Sequence, residues 1–380
     1  MQLVILTKTL QTMVSKVIKG AGNNKLLPLT GMVHINLKDK VLSLTTTDMN
    51  NYVTIKETGI NGDDMDIVMP VDTFAKIVAK TTTETTTIEY DNHFIKLKGN
   101  GTYSLPVSVD EEGNNVTFPE FNFPDVFETD VITLANIKSV IDNNSACLTT
   151  DMTTPCLTGY YFDKNVITTD SVAICLNQIK MFSEPVLLSP ELVNLLNLFS
   201  AEKITVQRAE EKIKFISSNV IVCGIVMNDV IDEYPVEAIE SYLDAKFQNS
   251  CKINKDSLMG VLDRILIFVD EVVDQFVANI TFSPKGMLIQ NKNNTANELI
   301  TYVGNNVITE SYNCSLNIVA LRNMINSCNV DNIVIYFGHE DDVCIKIEAE
   351  HIVKIIALSN GDEEEFEDIE ETEDTDEVEE

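Results

Sequence analysis

The sequence predicts an α+β fold of three similar domains, each built from two halves in which a helix is followed by a small antiparallel sheet. Three observations predict it: a helix-plus-meander unit in mid-chain, its recurrence on either side, and matched strand pairs ahead of the first two copies. The mid-chain unit is residues 187–227. Ser189 reads as a helix cap, Pro190 suits the first turn, and Glu191 suits the positive end of the helix dipole. Leu192, Leu195, Leu196 and Phe199 recur at i, i+3, i+4 and i+7, one apolar stripe on one helical face. Three short alternating runs follow, at 204–207, 212–216 and 220–227, a meander able to cover that stripe.

Upstream, VDTFAKIVAK (71–80) is followed by TTIEY, HFIKLK and TYSLPVSV. Downstream, SLNIVALRNMIN (315–326) is followed by NIVIYF, VCIKIEA and HIVKIIALS. With Phe74, Leu192 and Ile318 as equivalent stripe positions, the units lie 118 and 126 residues apart. So long a period points to a triplicated domain rather than a solenoid of short repeats.

From the N-terminus, residues 9–19 read as a helix with Leu10, Met13, Val14 and Val17 on one face, ended by Gly20 and Gly22. LLPLTGMVHINLKDKVLSLTTTD then gives two alternating strands joined at Lys38-Asp39-Lys40. The middle domain repeats this plan, with a helix over 136–143 and then TPCLTGYYFDKNVITTD. Leu29-Thr30-Gly31 matches Leu157-Thr158-Gly159, and Thr47-Asp48 matches Thr169-Asp170. In the last domain, 255–268 reads as helix and FVANITFSPKGMLIQNK as a hairpin turning at Pro284-Lys285-Gly286. FPEFNFPD (118–125) and Glu233-Tyr234-Pro235 punctuate the joins. The expected domains are therefore 1–125, 126–245 and 246–360, with an acidic tail at 361–380. Six such halves set helices on one side and sheets on the other. Strand edges then pair across domain boundaries, and an array with complementary ends closes into a ring by heterologous contact.

An apolar content of 44% is ordinary for a soluble protein. No run approaches the ~18 apolar residues of a membrane helix, so no membrane is expected as a partner. The start, MQLVILTKTL, is too short and too soon polar for a signal peptide. Eight cysteines, none in a CxxC pair and most in apolar runs, read as reduced, buried thiols of a cytosolic protein. The net charge is −32. The stretch after Gly361 holds 14 acids and no base, which leaves −18 on the body, and such a block is expected to be disordered. An acidic body repels nucleic acid. Against that trend, the first 38 residues carry Lys8, Lys16, Lys19, Lys25 and Lys38 and no acid.

Catalysis finds no support. His34, His93, His339 and His351 each lie in or beside a strand-like run, without metal-ligand spacing. Phosphate-binding glycine loops and a nucleophile elbow are absent from the sequence. Asp48 and Asp170 end matching strands. They read as turn aspartates that bond nearby amides, repeated because the fold repeats, ahead of a catalytic carboxylate pair. The chain is expected not to be an enzyme and to need no metal and no cofactor.

LLPLTGMVHI and LSLTTTD in the first domain, LTGYYF and VITTDSVAI in the second, LLSPELVNLL, EYPVEAIESYL and the terminal HIVKIIAL together carry a resemblance. In that order and spacing the chain, to about residue 359, resembles the bacterial sliding clamp, the beta subunit of the replicative DNA polymerase III. The resemblance implies the DNA-clamp fold: a head-to-tail ring of two subunits, helices lining a hole threaded by duplex DNA and sheets outside. It also implies a pocket that takes short linear peptides from polymerase and clamp loader. On this sequence the pocket positions are Leu157, Thr169, Ser171, Ile174, Pro235, Val353 and Ile355. The family commonly has Gly-His-Arg-Leu after its Thr-Asp; here Ser171-Val172-Ala173-Ile174 stands instead. That substitution makes the pocket more apolar and fits a divergent clamp of a phage or mobile element.

A clamp held by closure does not need to grip its DNA, which answers the charge objection. The cations expected to face the DNA are Lys8, Lys16, Lys19, Lys25, Lys76 and Lys80 in the first domain, with Lys138, Arg264 and Arg322 as weaker analogues. The reading is a polymerase processivity factor in the bacterial cytoplasm or nucleoid, contacting duplex DNA without regard to sequence. The alternative is a clamp-like protein scaffold or acidic DNA mimic that never encircles DNA.

Overall fold

In each half of the chain a strand runs straight into a helix, and three strands then return beside it. In the first half, β1 (Gln2–Leu6) feeds α1 (Thr7–Val17), followed by β2 (Met32–Lys38), β3 (Val41–Thr47) and β4 (Asn51–Thr58). After the two-residue β5 (Asn61–Gly62), β6 (Met65–Pro70) feeds α2 (Val71–Lys80), then β7 (Thr85–Tyr90), β8 (Phe94–Lys98) and β9 (Thr102–Pro106). Next, β10 (Glu128–Thr133) feeds α3 (Leu134–Asn144), with β11 (Tyr160–Phe162), β12 (Val166–Thr169) and β13 (Ala173–Asn177). The fourth half is β14 (Val186–Leu188), α4 (Pro190–Leu195), β15 (Lys203–Ala209), β16 (Lys212–Ile216) and β17 (Val220–Ile225), with α5 (Val236–Leu243) after it. In the fifth, β18 (Phe247–Asn254) feeds α6 (Lys255–Ile265), then β19 (Val277–Ser283), β20 (Gly286–Asn291) and β21 (Asn297–Ile300). The last is β22 (Tyr312–Asn317), α7 (Ile318–Asn326), β23 (Asn332–His339), β24 (Cys344–Ala349) and β25 (Ile352–Ala357). This computed structural model describes residues 1–91, 94–109, 116–272, 275–304, 306–308, 310–339, 341 and 343–359. His93 and the acidic tail at 361–380 lie outside the described residues.

The described chain forms two compact units: Met1–Asp244 with Glu350–Lys354, and Ala245–Ala349 with residues 355–359. In the first, one sheet has the order β5-β1-β7-β8-β9 and a larger one β10-β15-β16-β17-β4-β3-β2-β6. The larger sheet joins two halves through their last strands: β17 pairs antiparallel with β4, from Val220↔Ile55 to Gly224↔Asn51. A third sheet runs β14-β11-β12-β13, and β25 follows β13 in its strand order. The second unit holds β21-β20-β19-β22 and, from Ile355 on, β25 next to β24, β23 and β18.

The expected helices and hairpins are present, but the strand that leads into each helix was not anticipated. At most one residue, Ser189, marks that passage, because the N-cap is still extended: Leu6 has ψ 129°, Thr133 148°, Ser189 152° and Asn254 127°. Thr133, Ser189, Asn254 and Asn317 accept a hydrogen bond from the amide three residues on, satisfying one orphan donor of each helix. The β2–β3 turn uses left-handed φ at Asp39 (51°) and Lys40 (63°), the pair that matches the twist of a two-residue hairpin.

The stripe Leu192, Leu195, Leu196 and Phe199 is buried, although α4 stops at Leu195 and continues only as a 3₁₀ turn over Leu196–Leu198. Its helix rests directly on β17. A Cβ on Gly224 would meet Leu192 Cδ1 and Cδ2 at 2.6 Å, so the close approach requires glycine. Leu10, Phe74, Leu192 and Phe215 belong to one core in the first unit. In the second unit Phe282 and Phe337 stack at 4.1 Å, buried with Leu258 and Leu321. The aromatic join predicted to punctuate the first boundary is adhesive: Phe118 stacks on His34, Phe121 packs on Tyr52, and Lys214 Nζ sits 4.0 Å over the Phe123 ring. Among the described residues no helix is long and apolar enough to cross a membrane.

Candidate partner pocket and basic helix face

The repeated Thr-Thr-Asp explains itself residue by residue. Thr46 donates to the carbonyl of Val17, the last residue of α1, and Thr168 donates to that of Asn144, the last residue of α3. The next threonine accepts from the amide two residues on, Met49 for Thr47 and Ser171 for Thr169. The aspartate then closes the turn. Asp48 Oδ1 accepts from Asn50 and Asn51 amides at 2.9 and 2.6 Å, and Asp170 Oδ1 from Val172 and Ala173 at 3.0 and 2.7 Å. Met49 and Ser171 take left-handed φ of 83° and 77° at the same place in both copies. The two carboxylates are thus committed to backbone amides in separate turns, as the turn-aspartate reading expects.

Of the pocket candidates, six belong to the first unit. Thr169 and Ile174 are partners across the β12–β13 hairpin, and both are buried. Leu157 is buried in the 3₁₀ turn Pro155–Thr158; Pro235 and Val353 are half-buried, and Ser171 is exposed. Two contacts draw the groups together. Cys156 Sγ donates to Glu233 O beside Pro235, and Tyr234 OH donates to Ile167 O on β12 at 3.2 Å while its ring stacks on Tyr161 at 4.7 Å. Ile355 is buried in the second unit. Sequence reasoning overlooked the exposed apolar residue of this turn, Val172, at 50%. Val172 follows Ser171, so the turn that replaces the family's His-Arg presents a valine to solvent.

Lys354 was also overlooked as a functional anchor. It is fully buried, and its ammonium donates at 3.1 Å to the carbonyl of Asn143, in the last turn of α3. Cys175 Sγ reaches the same carbonyl at 3.4 Å. A cation at the negative end of a helix dipole is favourable, which accounts for a lysine inside an otherwise apolar strand. The signal was in the strand itself: in HIVKIIAL the lysine falls on an inward position.

The cations expected to face DNA divide into two groups. Lys8, Lys19, Lys25, Lys76, Lys80 and Lys138 are exposed, Lys16 is half-buried and donates to Ser200, and none of them enters an ion pair among the described residues. Arg264 instead forks onto Glu298 with two bonds of 2.7 Å, and Arg322 binds Asp263. The bond to Arg264 lowers the Glu298 carboxyl below its usual range. Helices α1 and α2 lie side by side, since Gln11 Nε2 donates to Val78 O and Thr81 O at the end of α2. Their exposed lysines accordingly share one face, with Asp72 its only acid on either helix.

The described histidines are structural in surroundings. His34 bonds Asp66 at 2.9 Å, His351 lies 3.3 Å from Ser139 Oγ, and His339 Nδ1 accepts from the Asp341 amide. No group of three or more His, Cys, Asp or Glu able to hold a metal occurs among the described residues. The eight cysteines are thiols and only Cys314 is more than marginally exposed; burial pushes Cys223 up to about 11 and Cys251 to about 12. A cavity of about 600 Å³ lies elsewhere, between the larger sheet and the aromatic join, lined by His34, Tyr52, Asp66, Phe118, Phe121 and Lys214.

No family model matches the chain, and no curated protein matches it. Solved structures do. The beta subunit from the DNA polymerase of Streptococcus pyogenes is 14% identical with a TM-score of 0.84. The sliding clamp from Bacillus subtilis is 18% identical at 0.79, and that from Bartonella birtlesii, bound to griselimycin, 16% identical at 0.82. Each covers 95% of this chain and 100% of its own. The chain has the fold of the DNA polymerase III beta sliding clamps, in a divergent version.

Replacing Asp48 or Asp170 by Ala is expected to cost about 1–3 kcal/mol each, since one exposed and one part-buried amide lose a charged acceptor. The two losses should add, the turns being separate. Urea unfolding of both single variants and the double variant checks this, and a variant of unchanged stability would show that the turns are held by something else.

Proposed function

We propose that the chain is a DNA sliding clamp, a non-enzymatic tether that encircles duplex DNA and holds polymerase and other partners on it. The observation that carries the reading is the pairing of last strands. In the first unit β4 is completed by β17, and β13 is followed by β25 in its sheet. That leaves two last strands with a neighbour on one side only among the described residues, β9 and β21. Each bears an exposed apolar side chain, Tyr103 at 42% and Leu299 at 55%. An open edge is a liability unless it is paired. By the rule that joins β4 to β17, β9 of one copy takes β21 of a second, and two such contacts close a head-to-tail dimer of six domains. The domain limits near 125 and 245 belong to this reading.

Closure makes strong adhesion unnecessary. A protein that neutralises many phosphates binds with a steep salt dependence and slides against each contact. The lysine face of α1 and α2 offers a few cations inside an acidic molecule, enough to centre a duplex without gripping it. Tethering a partner through the pocket then turns repeated rebinding into an intramolecular event. Short peptides of polymerase and loader would place an apolar side chain on the Val172, Pro235 and Val353 surface, above the Thr169–Ile174 hairpin. Residence in the bacterial cytoplasm or nucleoid follows from that role.

Topology tests the reading. Clamp loaded on a nicked circular duplex should co-migrate with the circle and be released when the circle is cut once. Equal retention on circular and linear DNA would instead favour a scaffold or DNA mimic that binds without encircling. For the pocket, Val172→Asp should weaken binding of a labelled C-terminal polymerase peptide by about tenfold, roughly 1.4 kcal/mol, without lowering thermal stability. Unchanged affinity in fluorescence anisotropy would remove Val172 from the site.

A further inference from the structure

Below the end of α3 the first unit buries a polar cluster around two cysteines. Cys147 and Cys175 are both fully buried, and their thiols hydrogen bond to each other. Cys175 Sγ also reaches the carbonyl of Asn143 at 3.4 Å, and the Lys354 ammonium donates to the same carbonyl at 3.1 Å. Burial alone would raise the Cys175 thiol, but its bond with Cys147 and the nearby ammonium together bring it below the usual thiol range. The same bond, with burial, holds Cys147 well above that range. One thiol is thus readied as a nucleophile and the other kept protonated. The cluster also has the chemistry of a water site. The buried side-chain oxygens of Asn143, Asn144 and Asn177 find no partner among the described residues. Such groups are rarely left unpaired in a native interior and commonly take an ordered water. A polar path runs from there to the surface. Ser139 Oγ accepts from Asn143 and Asn177 at 3.4 and 3.1 Å and lies 3.3 Å from the exposed His351.

We propose that Cys147 and Cys175 are a peroxide-sensitive dithiol, which hydrogen peroxide converts to a disulfide through a sulfenic acid on Cys175. Peroxide offers the same O–H donors as water on a molecule little larger, so a site that suits water suits it too. Cys175 Sγ, as thiolate, attacks one peroxide oxygen. An S–O bond forms, the O–O bond breaks, and the hydroxide that leaves takes up the proton Cys175 released. Cys147 Sγ then attacks the Cys175 sulfur: the S–S bond forms, the S–O bond breaks, and the Cys147 proton departs with hydroxide as water. In sum, two thiols and one peroxide give one disulfide and two waters, the sulfurs losing the two electrons that the peroxide gains. A disulfide needs its sulfurs about 2.05 Å apart, a short closing movement for two thiols already in hydrogen-bond contact. In a reducing compartment the bridge is transient, which suits a sensor rather than a structural bond. It encloses Leu157, Thr169, Ser171 and Ile174, so oxidation stiffens the segment that carries four of the pocket candidates. The dithiol itself does not rest on the pocket reading.

Oxidation of the reduced full chain tests this without any partner. The folded protein is exposed to a small excess of hydrogen peroxide, quenched, denatured, blocked with N-ethylmaleimide and mapped by mass spectrometry without reduction. The expected product is about 2 Da lighter, contains a peptide linking Cys147 to Cys175, and reverts with dithiothreitol. Both cysteines still open to alkylation while the half-buried Cys314 is oxidised would overturn the proposal. Cys147→Ser should halt the reaction at a sulfenic acid on Cys175, about 16 Da heavier and trapped by dimedone. A sulfenic acid that gathers instead on Cys147 in the Cys175→Ser chain would overturn the assigned roles. Lys354→Met should slow oxidation about tenfold, and oxidation at the native rate would overturn the part given to the ammonium. Near-ultraviolet circular dichroism checks that each variant is folded, and the unsubstituted chain decides the bridge by itself.

Discussion

A β-strand with one bare edge leaves a row of backbone N–H and C=O groups without protein partners, and that constraint organises this molecule. Every half of the chain ends in such a strand. β4 and β17 satisfy each other over five residue pairs, turning two three-stranded meanders into one continuous sheet. Helix packing depends on the result: α4 sits so close to β17 that Gly224 must lack a side chain beneath Leu192. The Thr-Thr-Asp turns serve the same end from the other direction. They tie the end of a helix to the hairpin that follows it.

Much of this was readable in the sequence because the signals are local. Alternation located the strands after each helix, the 3.6 period located the helices, and Lys38-Asp39-Lys40 located a turn whose left-handed residues the structure then shows. The leading strands were missed for an equally local reason: Thr133, Asn254 and Asn317 are at once the last residue of a strand and the cap of a helix, so nothing punctuates the change. Leu192, Leu195, Leu196 and Phe199 did mark a buried stripe, but periodicity could not tell an α-helical turn from the 3₁₀ turn that finishes it.

The site was less legible, because its properties come from partners distant in sequence. Arg264 and Arg322 looked like the first-domain lysines until Glu298 and Asp263 were seen beside them. Lys354 drew no reading from the sequence, and its meaning depends on a helix end more than 200 residues earlier. Val172 gained importance only once Thr169, Asp170 and Ser171 were seen to form a fixed turn that holds it outward. The charge pattern of the first two helices, by contrast, is local and could be read directly: α1 carries no acid and α2 only Asp72.

Whether the edges of β9 and β21, the two last strands with one neighbour among the described residues, close on one another is measured most directly by the native mass of the assembly. The account predicts one species at twice the 42.4 kDa chain mass, unchanged over a hundredfold range of micromolar concentrations. A monomer throughout that range, or an open series of dimers, trimers and longer chains, would contradict it.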